Sequence, residues 1–268
     1  MPIEFINTGE LDIKTTYVLP VTIKSVEGIG VLQSAKTYYY VFRGASLINV
    51  VCNISRNRAY PDFKNDSKFN NLTENTMEIL FKANSFPNTL NTLMGIESNY
   101  LLRIGDATIP NNQLQVATSV NNCTSADLQL ESGKWYHVAV AFNKGNVKVY
   151  INGVEKLSGS TGKSSVSLGA KHTNEEDGSR CFWVGYSYKD DRYFDGVVSE
   201  VRIWNRALTA EEIQATNHFY TIEPESEGLI AYWKFDEGSG TVAKDYSVSG
   251  YDLTIEKEPK WESVSLPQ

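Results

Sequence analysis

Short segments of alternating apolar and polar residues, separated by turn residues, dominate the chain. Residues 135–142 (WYHVAVAF) alternate with period two, and residues 147–151 (VKVYI) repeat the pattern after a turn at 143–145. Because successive side chains of a strand point to opposite faces, this period predicts half-buried β-strands. Asn152-Gly153 then predicts a two-residue hairpin turn with positive φ at both residues, followed by a return strand over 154–157. These three strands are predicted to form a meander.

Other segments follow the same pattern and are also predicted to be strands. They are residues 15–25, 37–42, 76–81, 92–96, 100–104, 113–117, 182–186, 197–204 and 229–235. Proline lacks a backbone donor, so Pro20 inside the first segment predicts an edge position or a bulge. Within 197–204, strict alternation assigns the residues to two faces: Val197, Ser199, Val201 and Ile203 on one, Val198, Glu200, Arg202 and Trp204 on the other.

One short helix interrupts this β pattern. Thr209 followed three residues later by Glu212 fits a capping box, which predicts a helix of about two turns ending near Asn217. Leu208 and Ile213 are predicted to pack together at its start. Many short strands with one brief helix predict an all-β sandwich or jelly roll.

The β pattern is broken between about residues 43 and 61, which predicts a domain boundary there. Gly44-Ala45-Ser46 interrupts the pattern, and residues 53–66 are polar and of mixed charge. The two β-prone segments before this break are too few to close a domain alone. We therefore predict a partial N-terminal β-domain over residues 1–45 and a jelly-roll domain over residues 46–268.

Composition narrows the functional classes. The 268 residues carry 25 Lys and Arg against 32 Asp and Glu, a net charge of −7. This balance argues against nucleic-acid binding and against a polybasic membrane anchor. No apolar run approaches the length of about 20 residues that a membrane span needs, and no signal peptide is expected in residues 1–25.

Cysteines and histidines give little indication of chemistry. Cys52, Cys123 and Cys181 are odd in number and lack a CxxC spacing, so we interpret them as small buried residues and leave a Cys123–Cys181 bridge open. The three histidines show no ligand spacing. His137 lies in an alternating strand and is expected to be a packed core residue.

Two patches resemble laminin-G-like, concanavalin A-like jelly rolls. Residues 134–140 and 149–153 resemble the central meander of that family, and residues 194–213 match its late strand and short helix closely. Residues 228–240 also look like family sequence, although in many members this strand opens the domain, so its position after the helix indicates a permuted order. The resemblance implies a concanavalin A-like jelly-roll sandwich with one short helix.

The front of the chain resembles a second family. Residues 11–23 and 36–41 are similar to the back half of a bacterial domain of unknown function, which precedes laminin-G-like or glycosidase domains in surface lipoproteins. The resemblances together imply an extracytoplasmic protein, at the cell surface or in the periplasm, that captures a glycan or glycoprotein. They also imply a lipid anchor in the full-length protein.

The sequence predicts binding rather than catalysis. Glycosidases of the concanavalin A-like fold carry Glu-x-Asp-x-x-Glu on one strand, and their retaining members need two carboxylates about 5 Å apart. The nearest match, residues 175–180 (EEDGSR), ends in Arg180 and reads as a loop. We therefore predict a protein that is not an enzyme, with a glycosidase as the less favoured alternative and a protein-binding adhesion or scaffold module as the nearer one.

Aromatic and polar side chains alternate closely over residues 179–194. Sugars stack their C–H faces on aromatic rings while nearby polar groups bind their hydroxyls, so this stretch is the predicted glycan site. The candidate binding residues are Tyr186, Tyr188, Asp190, Arg192 and Tyr193.

Calcium is the one candidate cofactor, because some members of the resembled family hold it at a sandwich rim with loop oxygens. Asp236 and Asp245 are its candidate ligands.

Overall fold

The computed structural model of the protein describes residues 15–28, 30, 34, 36–43, 46–173 and 180–267. Its strands, in chain order, are β1 (Thr16–Thr22), β2 (Thr37–Arg43), β3 (Ile48–Asn53), β4 (Ala59–Pro61), β5 (Glu74–Ala83), β6 (Asn91–Ile96), β7 (Tyr100–Asp106), β8 (Ile109–Thr118), β9 (Cys123–Gln129), β10 (Trp135–Asn143), β11 (Asn146–Ile151), β12 (Val154–Ser160), β13 (Trp183–Val184), β14 (Gly196–Trp204), β15 (Leu229–Trp233), β16 (Val242–Ala243), β17 (Leu253–Ile255) and β18 (Lys260–Leu266). The α-helix found in these residues, α1, spans Ala210–Ile213. None of the helices in the described part of the chain is long and apolar enough to cross a membrane.

The chain divides into two compact units, Met1–Ile48 with Ser265–Gln268 and Asn49–Val264. In the first unit β1 and β2 pair antiparallel, with Pro20 opposite Tyr39. Among the described residues this sheet has only these two strands, so each keeps an open edge. Pro20 therefore costs no central hydrogen bond, and its predicted edge position is confirmed.

The second unit is built from two stacked antiparallel sheets, as the all-β prediction requires. Sheet 1 has the order β12-β11-β10-β5-β14-β3-β18, with β15 also paired to β14. Sheet 2 has the order β16-β17-β4-β13-β6-β7-β8-β9. Alternate residues of β5 and β10, such as Ile79 and Val140, meet Met94 and Leu102 of sheet 2 in one buried core. The predicted all-β sandwich is therefore confirmed.

The predicted meander and hairpin are present. Ile151 pairs with Val154 across a two-residue turn, in which Asn152 and Gly153 have φ of 48° and 77°. Asn152 also accepts a hydrogen bond from the backbone of His137 through its side chain at 2.8 Å. This bond joins the turn to the neighbouring strand and explains why asparagine suits the first turn position.

Strand β14 departs from the strict alternation that the sequence predicts. Glu200 has φ of 50°, and the pairing of β14 with β5 shifts between Ser199 and Arg202. This bulge reverses the faces midway, so Val198 before it and Val201 after it both enter the core. The predicted assignment of Val198 to the face opposite Val201 is therefore wrong.

The late strand of the chain closes onto the same sheet. Val201 of β14 pairs with Trp233 of β15, while the first half of β14 pairs with β3 through Val198 and Cys52. Residues 229–233 therefore belong to the same sandwich as residues 197–204, as the permuted order requires.

The helix is shorter than predicted. The Thr209–Glu212 capping box is present, but Gln214 already caps the C-terminal end. The next bond, from the Ala215 amide to the Glu212 carbonyl, spans three residues instead of four, so α-helical geometry ends after one turn rather than near Asn217. Leu208 and Ile213 are both buried in a satellite cluster that contains Ala139 and Tyr150 from the outer face of sheet 1. The three cysteines are free and buried, so no Cys123–Cys181 bridge is present.

Candidate functional site

A pocket of ≈ 370 Å³ is formed by three loops of the second unit. The loop after β3, the loop between β5 and β6, and the segment before β14 supply its lining, which is Ser55, Arg56, Pro87, Asn88, Asp190, Tyr193, Phe194 and Asp195. We call it the Tyr193 pocket. Loops at strand ends are where side chains are free of the core and available to a ligand.

Asp195 organises this pocket by joining two of its loops. Its carboxylate accepts hydrogen bonds from Ser55 at 2.8 Å, Ser85 at 2.5 Å and Asn84 at 3.2 Å. Burial alone would raise the pKa of Asp195, but these three hydrogen bonds outweigh it and hold the pKa below its usual value. The carboxylate is therefore ionised at neutral pH and fixed in position.

Tyr193 is the half-buried aromatic ring of the pocket. Its backbone carbonyl accepts a hydrogen bond from the Asn88 side chain at 3.0 Å, and its ring lies 5.0 Å from that of Tyr186. Burial raises the pKa of the Tyr193 hydroxyl to about 12, so it remains a neutral donor. The ring is thus held between a loop contact and a second aromatic ring.

Tyr186 lies beneath this ring rather than at the surface. Only 4% of Tyr186 is exposed, and it packs with Trp183 in a small buried cluster. The Arg58 guanidinium lies 4.5 Å from the Tyr186 ring and is paired with Glu256. Tyr186 therefore supports the pocket from below and offers no open ring face to a sugar.

The other predicted binding residues divide between the pocket and a neighbouring patch. Asp190 is exposed and lines the pocket with Tyr193. Tyr188 is half-buried, with the Arg192 guanidinium 5.7 Å from its ring, and Arg192 forms an ion pair with Glu97 at 2.9 Å. All five candidates lie in one segment, but only Asp190 and Tyr193 share the pocket. Their role in binding remains a prediction.

The two candidate calcium ligands differ in their surroundings. Asp245 is buried and accepts hydrogen bonds from the backbone amides of Tyr232, Ser247 and Tyr251 at 3.0, 2.9 and 2.8 Å. These bonds already engage its carboxylate in shaping the loop. Asp236 is exposed. Calcium binding at these residues remains a prediction.

His137 is fully buried, as expected of a packed core residue, but the fold brings two histidines that lack ligand spacing in the sequence to one carboxylate. Glu78, His137 and His218 are all buried, and their ligand atoms lie within 4.8 Å of one another. Glu78 of β5 pairs with Ala139 of β10. His137 lies two residues before Ala139 on β10, so its side chain is on the same face of the sheet as Glu78, in the diagonal position. The sequence does place Glu78 and His137 at polar positions of two predicted strands. It does not give the strand register that brings the two side chains together.

Charge interactions hold this buried cluster together. The Trp204 indole donates to Glu78 Oε2 at 2.7 Å, and His218 Nε2 lies 2.7 Å from Glu78 Oε1. Burial alone would raise the pKa of Glu78, yet the two imidazoles hold it well below its usual value. Burial also lowers the pKa of His137. The acidic motif considered for a glycosidase, residues 175–180, lies outside the described residues except for Arg180.

Comparison with known proteins agrees with this architecture. A solved structure from Bacteroides ovatus ATCC 8483, of a protein proposed to bind carbohydrate, is 26% identical, has a TM-score of 0.69, and is matched over 95% of this chain and 70% of its own. The heptameric pentraxin of Limulus polyphemus (14% identity, TM-score 0.44, 65% and 83% covered) is a more remote likeness. Domain 4 of an extracellular arabinanase from Geobacillus stearothermophilus, solved with arabinotriose, is a second remote likeness. It is 20% identical with a TM-score of 0.47, and the match covers 77% of this chain and 88% of that domain.

No curated protein sequence matches the chain. A laminin G family model, described as the concanavalin A-like lectin/glucanases superfamily, matches residues 57–214. This range covers more than half of the chain and contains both strands of the hairpin at Asn152-Gly153, the bulged strand β14 and the capped helix α1. The protein therefore belongs to the concanavalin A-like lectin/glucanases superfamily.

Proposed function

We propose that this protein binds carbohydrate without transforming it, and that the Tyr193 pocket is the binding site. The observation that carries the proposal is a half-buried tyrosine ring placed among exposed polar side chains, Arg56 and Asp190, in one pocket. The Bacteroides ovatus relative, proposed to bind carbohydrate, supports the same class of ligand.

The chemistry of the pocket suits a sugar. The Tyr193 ring offers an apolar face to the C–H groups of a pyranose, while Arg56 donates to hydroxyl groups and Asp190 accepts from them. The pocket of ≈ 370 Å³ holds one or two sugar rings rather than a long chain. Because a small site buries little area, we expect modest affinity per site.

The electrostatics of the pocket favour binding over hydrolysis. A glycosidase needs one carboxylic acid whose pKa is raised so that it can protonate the leaving oxygen. Asp195 has a lowered pKa and is engaged by three side chains. It is suited to holding the loops in place and unsuited to donating a proton.

We infer a glycan or glycoprotein partner outside the cytoplasm. The fold and its carbohydrate-associated relative support this location. The resemblance of residues 11–41 to a lipoprotein domain extends the proposal to a lipid-anchored surface protein in which residues 1–45 belong to a partial N-terminal domain.

A glycan array tests the proposal, using the purified chain with calcium and again with chelator. We expect related glycans to bind the wild type and binding to fall at least about tenfold in Tyr193→Ala. Tyr38→Ala, at a 59% exposed tyrosine of β2, is the matched control and should bind normally. Loss of binding in chelator would support calcium at Asp236 and Asp245. Equal binding by wild type and Tyr193→Ala would remove the pocket from consideration.

One observation favours the alternative of a protein-binding module. In the β1–β2 ribbon, Tyr39 and Val41 are 67% and 66% exposed, and exposed apolar residues on one ribbon are typical of contact surfaces. This function would be indicated by two results together. The glycan array gives no hits, and the wild type binds an unglycosylated protein that Tyr39→Ser no longer binds.

A further inference from the structure

We propose that Glu78, His137 and His218 form a binding site for one zinc ion inside the second unit. This site is separate from the Tyr193 pocket and shares no residue with it. Two imidazoles and one carboxylate are a ligand set that zinc accepts, with bonds of about 2.0–2.2 Å and a fourth position left for water.

The first argument is the state of His137. It is fully buried, and neither of its ring nitrogens makes a hydrogen bond. Nε2 lies 3.4 Å from Glu78 Oε1, outside hydrogen-bonding geometry. A buried polar atom without a partner is costly, and a metal ion between the two atoms would supply one.

The second argument is geometry. Ligand atoms around a tetrahedral zinc ion lie about 3.4 Å apart, as follows from bonds of about 2.1 Å. His137 Nε2 and Glu78 Oε1 already have this separation, whereas His218 Nε2 lies 2.7 Å from Glu78 Oε1. All three ligand atoms fall within 4.8 Å of one another. Side-chain shifts of about 1 Å therefore complete the site.

The third argument is the support around the ligands. Trp204 donates to Glu78 Oε2 at 2.7 Å, which leaves Oε1 directed at both imidazoles. The ring of Phe219 stacks on His137 at 4.5 Å and fixes its orientation. Hydrogen-bonded and packed ligands of this kind are typical of metal sites.

One neighbouring charge opposes the ion. The Arg202 guanidinium lies 3.7 Å from Glu78 Oε2, but it also forms an ion pair with Glu200 and donates to the carbonyl of His218 at 2.7 Å. Glu200 thereby balances its charge. Arg202 lies nearest the carboxylate oxygen Oε2, whereas both imidazoles lie nearest Oε1.

A zinc ion here would fasten the segment after α1 to sheet 1. Glu78 and His137 lie on adjacent strands β5 and β10, whereas His218 belongs to the turns that follow the helix. His218 is 7% exposed and the other two ligands are fully buried, so an ion would enter from its side. The expected role is the attachment of this segment.

Zinc binding is tested on the full chain after chelator treatment and refolding in the presence of zinc chloride, which gives the ion access to the enclosed site. We expect one zinc per chain after gel filtration and a rise in Tm of about 5 °C at a hundredfold excess of zinc over Kd. Cobalt in place of zinc should give the visible absorption of a four-coordinate site.

The variants identify the ligands. His218→Gln should lose zinc affinity at least about tenfold, while His172→Gln, at the histidine outside the cluster, should retain it. If His218→Gln fails to fold, the cobalt spectrum of the wild type decides. Absence of zinc uptake, of a Tm shift and of cobalt absorption in the wild type would overturn the proposal, as would equal zinc content in the two variants.

Discussion

Tyr193 and Tyr186 lie with their ring centroids 5.0 Å apart and their planes tilted by 45°. The pair joins the surface to the interior, because Tyr193 lines the pocket while Tyr186 is only 4% exposed. The two tyrosines therefore have different roles, one in the pocket and one in the interior. Substitutions at the two positions should have effects that experiment can separate.

Tyr186→Ala is expected to lower stability, whereas Tyr193→Ala is expected to lower glycan affinity. Emptying a buried aromatic site costs about 3–5 kcal/mol, because the contacts of Tyr186 with Trp183 are lost. Tyr193→Phe keeps the ring and should retain most of the binding. Chemical denaturation and glycan titration measure the two effects. Equal loss of stability in both alanine variants would contradict the division of roles.

Asp195→Asn should destabilise the protein near neutral pH and make little difference in acid. The pKa of Asp195 is lowered in the folded protein, so its contribution to the free energy of unfolding is present above its usual pKa of about 4 and is lost as the pH falls through its folded pKa. We expect a loss of about 1–2 kcal/mol at pH 7.

Urea denaturation of Asp195→Asn and wild type between pH 7 and pH 2.5 measures this difference. The exposed Asp127 of β9 provides the control, since no side chain of the described residues forms a hydrogen bond with its carboxylate. Asp127→Asn should leave stability unchanged. A constant difference between Asp195→Asn and wild type across the pH range would refute the role of the ionised carboxylate.

Arg202→Met should destabilise the fold by about 3–5 kcal/mol. Arg202 is fully buried and holds Glu200 and the carbonyl of His218, so its removal leaves a buried carboxylate without its cation. Adding Glu200→Gln to the variant should recover part of the loss. Thermal and chemical unfolding measure the double-mutant cycle; simple additivity of the two substitutions would show that the pair is not coupled.

Gly95→Ala should be more damaging than Gly133→Ala, although both glycines have positive φ. A Cβ at Gly95 would lie 2.4 Å from the carbonyl oxygen of Tyr100, whereas nothing lies within 4 Å of one at Gly133. Backbone strain alone costs about 1–3 kcal/mol. We expect Gly133→Ala to fall in this range and Gly95→Ala to exceed it. Similar unfolding midpoints would show that the clash at Gly95 relaxes.

The sequence predicted the meander and the fold class because these depend on local chemistry. Period-two alternation and the positive φ that Asn152-Gly153 permits are both readable over a few residues. The capping box at Thr209 is equally local. The length of α1 was not readable, because the capping box fixes where the helix begins but carries no signal for its end at Ile213.

The site was less predictable because it depends on register and on depth. A single inserted residue at the Glu200 bulge changed the face of Val198. No residue type at this position predicts a bulge. Tyr186 and Tyr193 look alike in sequence, but Tyr186 packs against Trp183 and is only 4% exposed, whereas Tyr193 is half-buried. The meeting of Glu78 with His218 spans 140 residues, far beyond any local pattern.

The strands that follow the helix make the unit indivisible. The family match ends at residue 214, but β15 supplies Trp233 to the core, β17 pairs with β4 in sheet 2, and β18 lies beside β3 in sheet 1. A fragment ending at the family boundary would leave unpaired backbone along strands of both sheets, and such edges promote aggregation. Truncation before residue 229 should therefore yield insoluble material instead of a smaller folded domain.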